Sequence, residues 1–136
     1  MQNRTGTFRV LVTGSRTWDD ELTLNVALLH TALQCRDSGD SHLIVVHGAC
    51  PQGADAMAAD WVCWAQGRSP VLEISGEPHP ADWHSLGKSA GFRRNSEMVA
   101  LGADLCLAFI KDESRGATHC AGLAEKAGIP VRRFTP

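Results

Sequence analysis

The chain has no block of lysine and arginine, no C-x-x-C pair and no apolar run longer than a strand. Each absence removes a class of function. With a net charge of −2 and a pI near 6.3, broad electrostatic attachment to duplex DNA or to an anionic membrane is disfavoured. The five cysteines (Cys35, Cys50, Cys63, Cys106 and Cys120) are odd in number and unpaired in spacing. They read as reduced thiols in or beside core elements, and no metal is expected: His47 with Cys50, and His119 beside Cys120, lack convincing zinc spacing. The apolar stretches 43–46 and 105–110 are strand-sized and too short to span a bilayer. The N-terminus lacks the apolar segment of a signal peptide, so a cytoplasmic location is expected. Neither the dinucleotide fingerprint G-x-G-x-x-G nor a Gly-Lys-Ser/Thr P-loop occurs, and the second strand ends in His47 rather than in an acid that would hold a ribose. Ordinary NAD binding is therefore disfavoured, and no cofactor is expected.

What is present is the composition of a globular domain: 136 residues, 43% apolar and 21% charged. A single domain over 1–136 is expected, with residues 1–7 a polar lead-in and no internal repeat or linker. The pattern predicts strands at 8–13, 43–46, 70–74, 104–110 and 130–134. Helices are predicted between them. The first is capped by Asp19 or Asp20 and has Leu22, Val26, Leu29 and Leu33 as its inner face. The second uses Ala54, Met57, Ala58, Trp61, Val62 and Ala65, the third spans about 90–101, and the fourth spans 117–127. Residues 75–89 read as a long functional loop. The order βαβαβαβαβ predicts an α/β, three-layer Rossmann-like sandwich with a five-stranded, mainly parallel sheet in the order 3-2-1-4-5. All strand-to-helix junctions then lie on one edge, where such folds bind ligands.

Three of those junctions carry glycine. After strand one, Gly14 permits a tight turn, Ser15 offers a hydroxyl and Arg16 a guanidinium suited to phosphate or carboxylate. An ordinary turn with a surface arginine fits the same residues. After strand two, Gly48 and Gly53 bracket a loop that opens a helix, whose N-terminal amides favour an anion. There Asp55 either complements the helix dipole or accepts hydrogen bonds from ribose hydroxyls, and His47 reads first as a satisfied core histidine. After strand four, the amides from Gly116 onward and the hydroxyls of Ser114 and Thr118 suit an anion, or Thr118 caps the helix. On the third helix Gly91, Arg94, Met98 and Leu101 share a stripe that is apolar at one end and cationic at Arg94, with Asn95 beside it. Trp83 can pack on a nucleobase or shield the sheet edge.

Taken in order, these pieces resemble the SLOG superfamily, in particular its YspA and cpYpsA-related branch. The marks are Val12-Thr13-Gly14-Ser15-Arg16, His47-Gly48 through Gly53-Ala54-Asp55, Asp82-Trp83, Ala90-Gly91 with Arg94-Asn95 and Met98, and Gly116-Ala117-Thr118. The resemblance covers nearly the whole chain and implies a Rossmann-like fold that binds nucleotides or nucleotide-derived ligands, in some relatives within nucleotide-signalling, conflict or phage systems. Distant relatives named LOG or lysine decarboxylase-like are phosphoribohydrolases, with an arginine on the third helix and a Pro-Gly-Gly-x-Gly-Thr-x-x-Glu loop. Arg94 matches that arginine, and Gly116 and Thr118 match the end of the glycine run. The glutamate position is Ala121 here, and the loop lacks the full glycine series.

The expected function is therefore binding of a nucleotide-derived, phosphate-bearing small molecule by a sensor, carrier or sequestering module. Gly14, Ser15, Arg16, Gly48, Gly53, Arg94, Gly116 and Thr118 would hold phosphate, and Asp55 and Trp83 would meet sugar and base. The alternative is N-glycosidic cleavage of a nucleoside monophosphate, with Arg94 clamping phosphate and Asp55 (or less readily Glu125) as the acid. Single-stranded DNA binding is a third reading that the acidic balance opposes. A homodimer is expected from related folds.

Overall fold

The computed structural model describes residues 6–136. Residues 1–5 of the expected lead-in lie outside this range, and Thr7 already opens the first strand. The elements are β1 (Thr7–Gly14), α1 (Glu21–Asp37), β2 (His42–His47), α2 (Gly53–Ala65), β3 (Glu73–Pro78), α3 (Trp83–Leu86), a 3-10 turn at Gly87–Ser89, α4 (Ala90–Ala100), β4 (Leu105–Phe109), α5 (Arg115–Lys126) and β5 (Val131–Phe134). The sheet runs β3-β2-β1-β4-β5, and every neighbouring pair is parallel.

Successive strand residues face opposite sides, and the apolar residues of β1 separate accordingly. Val10 and Val12 face α1 and α2 together with Leu43, Val45, Leu107 and Phe109. Leu11 faces α4 and α5 with Val46 and Cys106. Burial on both faces explains why β2 and β4 read as continuous apolar runs. The connection after β1 leads outward to β2 and the one after β4 leads the opposite way to β5, so the β1 and β4 junctions open a crevice between them.

Several sequence expectations change. The inner face of α1 is Leu24, Ala27, Leu28, Thr31, Ala32 and Cys35. The predicted stripe of Leu22, Val26, Leu29 and Leu33 is exposed at 74%, 40%, 45% and 39%. Both faces carry apolar residues at helical spacing, and periodicity alone does not rank them. Asp20, not Asp19, caps α1: its carboxylate accepts from the Thr23 amide at 3.1 Å. Strand β3 is shifted along the chain to Glu73–Pro78, polar residues included, because only β2 pairs with it at the sheet edge. The loop expected at 75–89 thus shrinks and contains α3. Helix α5 starts two residues early because Ser114 is its cap, accepting from the Ala117 amide at 3.4 Å, which removes the cap role considered for Thr118. Cys63 is exposed and Cys50 half-buried, so the cysteines are not uniformly core. Leu101 leaves the α4 stripe for solvent at 60% exposure.

Candidate functional site

Gly14 ends β1 where α2 crosses it. A Cβ there would overlap that of Ala54 and lie 2.8 Å from the Phe109 carbonyl. The next residue, Ser15, is buried and ties the β1 and β4 junctions together. Its amide donates to the Phe109 carbonyl at 2.9 Å. Its hydroxyl donates to the Lys111 carbonyl at 2.8 Å and accepts from the Lys111 amide at 2.8 Å. The Ser15 hydroxyl is thus used within the scaffold. Its carbonyl accepts from Ala54 at 3.3 Å at the start of α2. Gly53 allows that approach: it takes φ of +69°, and a Cβ would run into the Ser15 and Arg16 backbone.

The loop after β2 is held by its own side chains. His47 Nδ1 accepts from the Ala49 amide at 3.0 Å, so the ring is neutral with its proton on Nε2. Burial, then the neighbouring His79 and Arg94, push its pKa below the ordinary value. Ala49 is held in the left-handed region at φ of 59°. The Asp55 carboxylate accepts from the Cys50 amide at 3.3 Å and from Gly48. Burial nevertheless outweighs these bonds and the attraction of Arg94 and Arg16, and lifts Asp55 to about 6.

Arg94, on the first turns of α4, is fixed from three sides. Nη1 donates to the carbonyls of Gly48 and His79, and Nε donates to Asn95 Oδ1 at 3.0 Å. Gly48 leaves room for it, since a Cβ there would overlap the guanidinium. Buried Asn95 in turn donates to the Gly116 carbonyl at 3.2 Å. His79 is anchored through Nε2 to Glu77 at 2.7 Å, and Glu77 pairs with both terminal nitrogens of Arg9 at 2.9 and 2.8 Å. The hydrogen bonds from Arg9 and His79 hold the Glu77 carboxyl down at about 2.

These junctions enclose a cleft of about 470 Å³, within the range of small-molecule sites. Of the sequence-predicted residues it gathers Gly14, Ser15, Arg16, Gly48, Asp55, Trp83, Arg94 and Ser114 on one wall set. Arg16 lies over the Trp83 ring at 5.5 Å from its centroid and makes no ion pair among the described residues. His47, Gly53 and Asn95 stand behind the lining as supports. Gly116 and Thr118 are exposed and lie outside the lining, although Gly116 touches it through Asn95.

Sequence reasoning missed Lys111, which lines the cleft and pairs with Asp19 at 3.1 Å. Its signal was its position directly after the β4 apolar run. Asp112 also lines the cleft, and with Glu113 it takes a left-handed backbone at φ of 55° and 50°. Such strain in non-glycine residues clusters at ligand-contacting loops. No group of three or more potential metal-ligating side chains occurs among the described residues. No helix of the described residues is long and apolar enough to cross a membrane.

The chain is similar to the "Gene 61 protein" of Mycobacterium phage D29, with 46% identity over 129 residues, covering 93% of this chain and 95% of that protein. No solved structure matches it. The family described as "YspA, cpYpsA-related SLOG family" matches residues 8–85. That span is more than half of the chain and runs from within β1 into α3 with two of the three glycine-bearing junctions, so the chain belongs to the YspA, cpYpsA-related SLOG family.

Proposed function

We propose that the cleft binds a nucleotide-derived small molecule by its phosphate and holds it without turnover, as a sensor, carrier or sequestering module. The observation that carries this reading is the convergence of Arg16, Arg94 and Lys111, from three different elements or junctions, on one cleft. Like charges gathered without an equal number of buried acids favour an anionic occupant. Arg94 is preorganised for it, with Nη2 left outside its three hydrogen bonds. Trp83, half-exposed at 47%, offers a face or edge to a base. Membership of a SLOG family supports a nucleotide-related ligand, and the phage relative fits a phage-associated setting.

Binding without turnover is favoured by α5. The position where the phosphoribohydrolase pattern has glutamate is Ala121, which is fully buried against the core. That helix therefore sends no carboxylate into the cleft from this position. Asp55 supports the second reading, N-glycosidic cleavage, because a cleft carboxyl near 6 can carry a proton at neutral pH.

Calorimetry with a panel of nucleoside 5′-monophosphates and their parent nucleosides tests the proposal. A monophosphate is expected to bind at least about tenfold tighter than its nucleoside, the worth of one charge-assisted hydrogen bond. Absence of binding by every phosphate-bearing member, with no small molecule retained in native mass spectrometry, would overturn it. Release of free base from a bound monophosphate would move the assignment to the hydrolase.

A further inference from the structure

The cleft that gathers three cations also carries two carboxylates, and their situations differ. Asp55 is engaged by the scaffold, accepting from the amides of Cys50 and Gly48. Asp112 is exposed on the cleft lining and has no hydrogen bond or ion pair among the described residues. Its neighbour Lys111 turns to Asp19 instead, at 3.1 Å. A carboxylate repels a phosphate placed beside it. A site for a phosphate-bearing ligand therefore accommodates a free carboxylate best where that ligand presents hydrogen-bond donors. The backbone fixes Asp112 at this position from both sides. The Ser15 hydroxyl holds the Lys111 amide and carbonyl, each at 2.8 Å, and Ser114 donates to the Lys111 carbonyl at 3.3 Å while capping α5. Between these clamps Asp112 and Glu113 take φ of 55° and 50°. Two successive left-handed residues without glycine persist only where the surroundings impose them.

We infer that Asp112 makes the cleft selective for ribonucleotides by accepting hydrogen bonds from the 2′- and 3′-hydroxyls of the bound sugar. The inference rests on the reading of the cleft as a nucleotide site. Its direction comes from where the other two recognition groups stand. Trp83 and Arg94 are neighbours across Gly91, where a Cβ would lie 3.0 Å from the Trp83 ring and 3.9 Å from Arg94 Nη2. Arg94 is tied to the carbonyls of Gly48 and His79, which follow β2 and β3. Base and phosphate are thus both met from the β2 and β3 side. On a ribose the two free hydroxyls occupy the ring edge opposite the carbons that bear the base and the 5′-phosphate. They therefore point toward the β4 junction, where Asp112 stands. The junctions of β2 and β4 flank that of β1, two strand spacings or about 10 Å apart. A nucleotide bridges such a gap from phosphate to diol with one hydrogen bond at each end. The two oxygens of a carboxylate match two adjacent hydroxyl donors, and Asp55, already bonded to amides, is not needed for this task.

Calorimetry of the full chain with ribonucleoside 5′-monophosphates and their 2′-deoxy and 3′-deoxy counterparts tests this. The wild type is expected to bind a ribonucleotide at least about tenfold tighter than either deoxy form, the worth of one charge-assisted hydrogen bond. Asp112→Gly takes a positive φ without strain, and circular dichroism checks that the fold is kept. It is expected to erase the preference by weakening the ribonucleotide alone, with deoxy binding unchanged or tighter once the like charge is gone. Asp112→Asn keeps one acceptor oxygen and is expected to fall between the two. Equal wild-type affinity for ribo and deoxy forms, a preference that survives Asp112→Gly, or an equal loss for all ligands would overturn the inference and leave phosphate-directed binding standing. Failure of every nucleotide to bind would overturn the reading of the cleft, and this inference with it.

Discussion

Asn95 accepts from Arg94 Nε at 3.0 Å and donates to the Gly116 carbonyl at 3.2 Å, so one buried amide joins the cleft arginine to the first turn of α5. The two contacts fix which end of the amide is oxygen, and they make Asn95 a positioning residue for Arg94. Arg94→Ala is expected to weaken binding of a nucleoside monophosphate by about 1.5–3 kcal/mol. Asn95→Ala is expected to lower stability by about 0.5–1.5 kcal/mol, because it removes the hydrogen bonds that tie α4 to α5 through a buried amide, and to weaken binding less than Arg94→Ala does. Calorimetry and denaturant unfolding of the two variants separate these effects. Equal affinity in Arg94→Ala and wild type would remove Arg94 from the site.

Ser15 and Lys111 are joined by two hydrogen bonds across 96 residues of sequence. Ser15→Ala leaves the Lys111 amide and carbonyl without that partner in a part-buried place. A loss of about 1–3 kcal/mol is expected in urea unfolding. Faster hydrogen exchange at Lys111 should accompany it, and an unchanged Lys111 exchange rate would contradict the coupling.

Glycine is needed at one junction and dispensable at another. Gly14→Ala forces Cβ against Ala54 and the Phe109 carbonyl, and a cost of about 1–3 kcal/mol is expected. At Gly116 a Cβ meets nothing within 4 Å. Gly116→Ala, inside α5, is expected to hold or raise stability by up to about 1 kcal/mol. Thermal midpoints that fall equally in both variants would refute the distinction.

Asp55 titrates at about 6 in the folded chain against an ordinary 3.8. Between those values the folded state keeps a proton that the unfolded state releases, so this group makes stability fall as pH rises through the window. Its cost is complete above 6 and absent below 3.8, and two units correspond to about 3 kcal/mol at most. Asp55→Asn is expected to flatten that fall, measured as the urea midpoint between pH 4.5 and 7. A slope unchanged by the substitution would contradict the buried position of the carboxyl. Glu77 acts with the opposite sign: held at about 2 against 4.5, it stabilises above 4.5 and loses that contribution as pH drops toward 2. The two windows hardly overlap.

The layered architecture and strand order were readable before any coordinates. Continuous apolar runs alternated with helical spacing, and right-handed crossovers leave few arrangements for such an order. Placing Arg16 and Arg94 at one sheet edge followed from the same topology. The inner face of α1 was not readable, because its exposed leucines matched the helical template as well as its buried residues did. Nor was β3, whose polar Ser75 to Pro78 segment is strand only because β2 lies alongside it.

The order of residues was enough to say which junctions share an edge, since backbone periodicity and chain handedness are local properties. It was not enough to say which polar groups on that edge face the cleft. Ser15, His47 and Asn95 bond to the scaffold, whereas Arg16 and Lys111 reach the opening. A buried donor or acceptor must find a partner wherever the fold supplies one, and partners such as Ser15 and Lys111 are brought together only by tertiary packing.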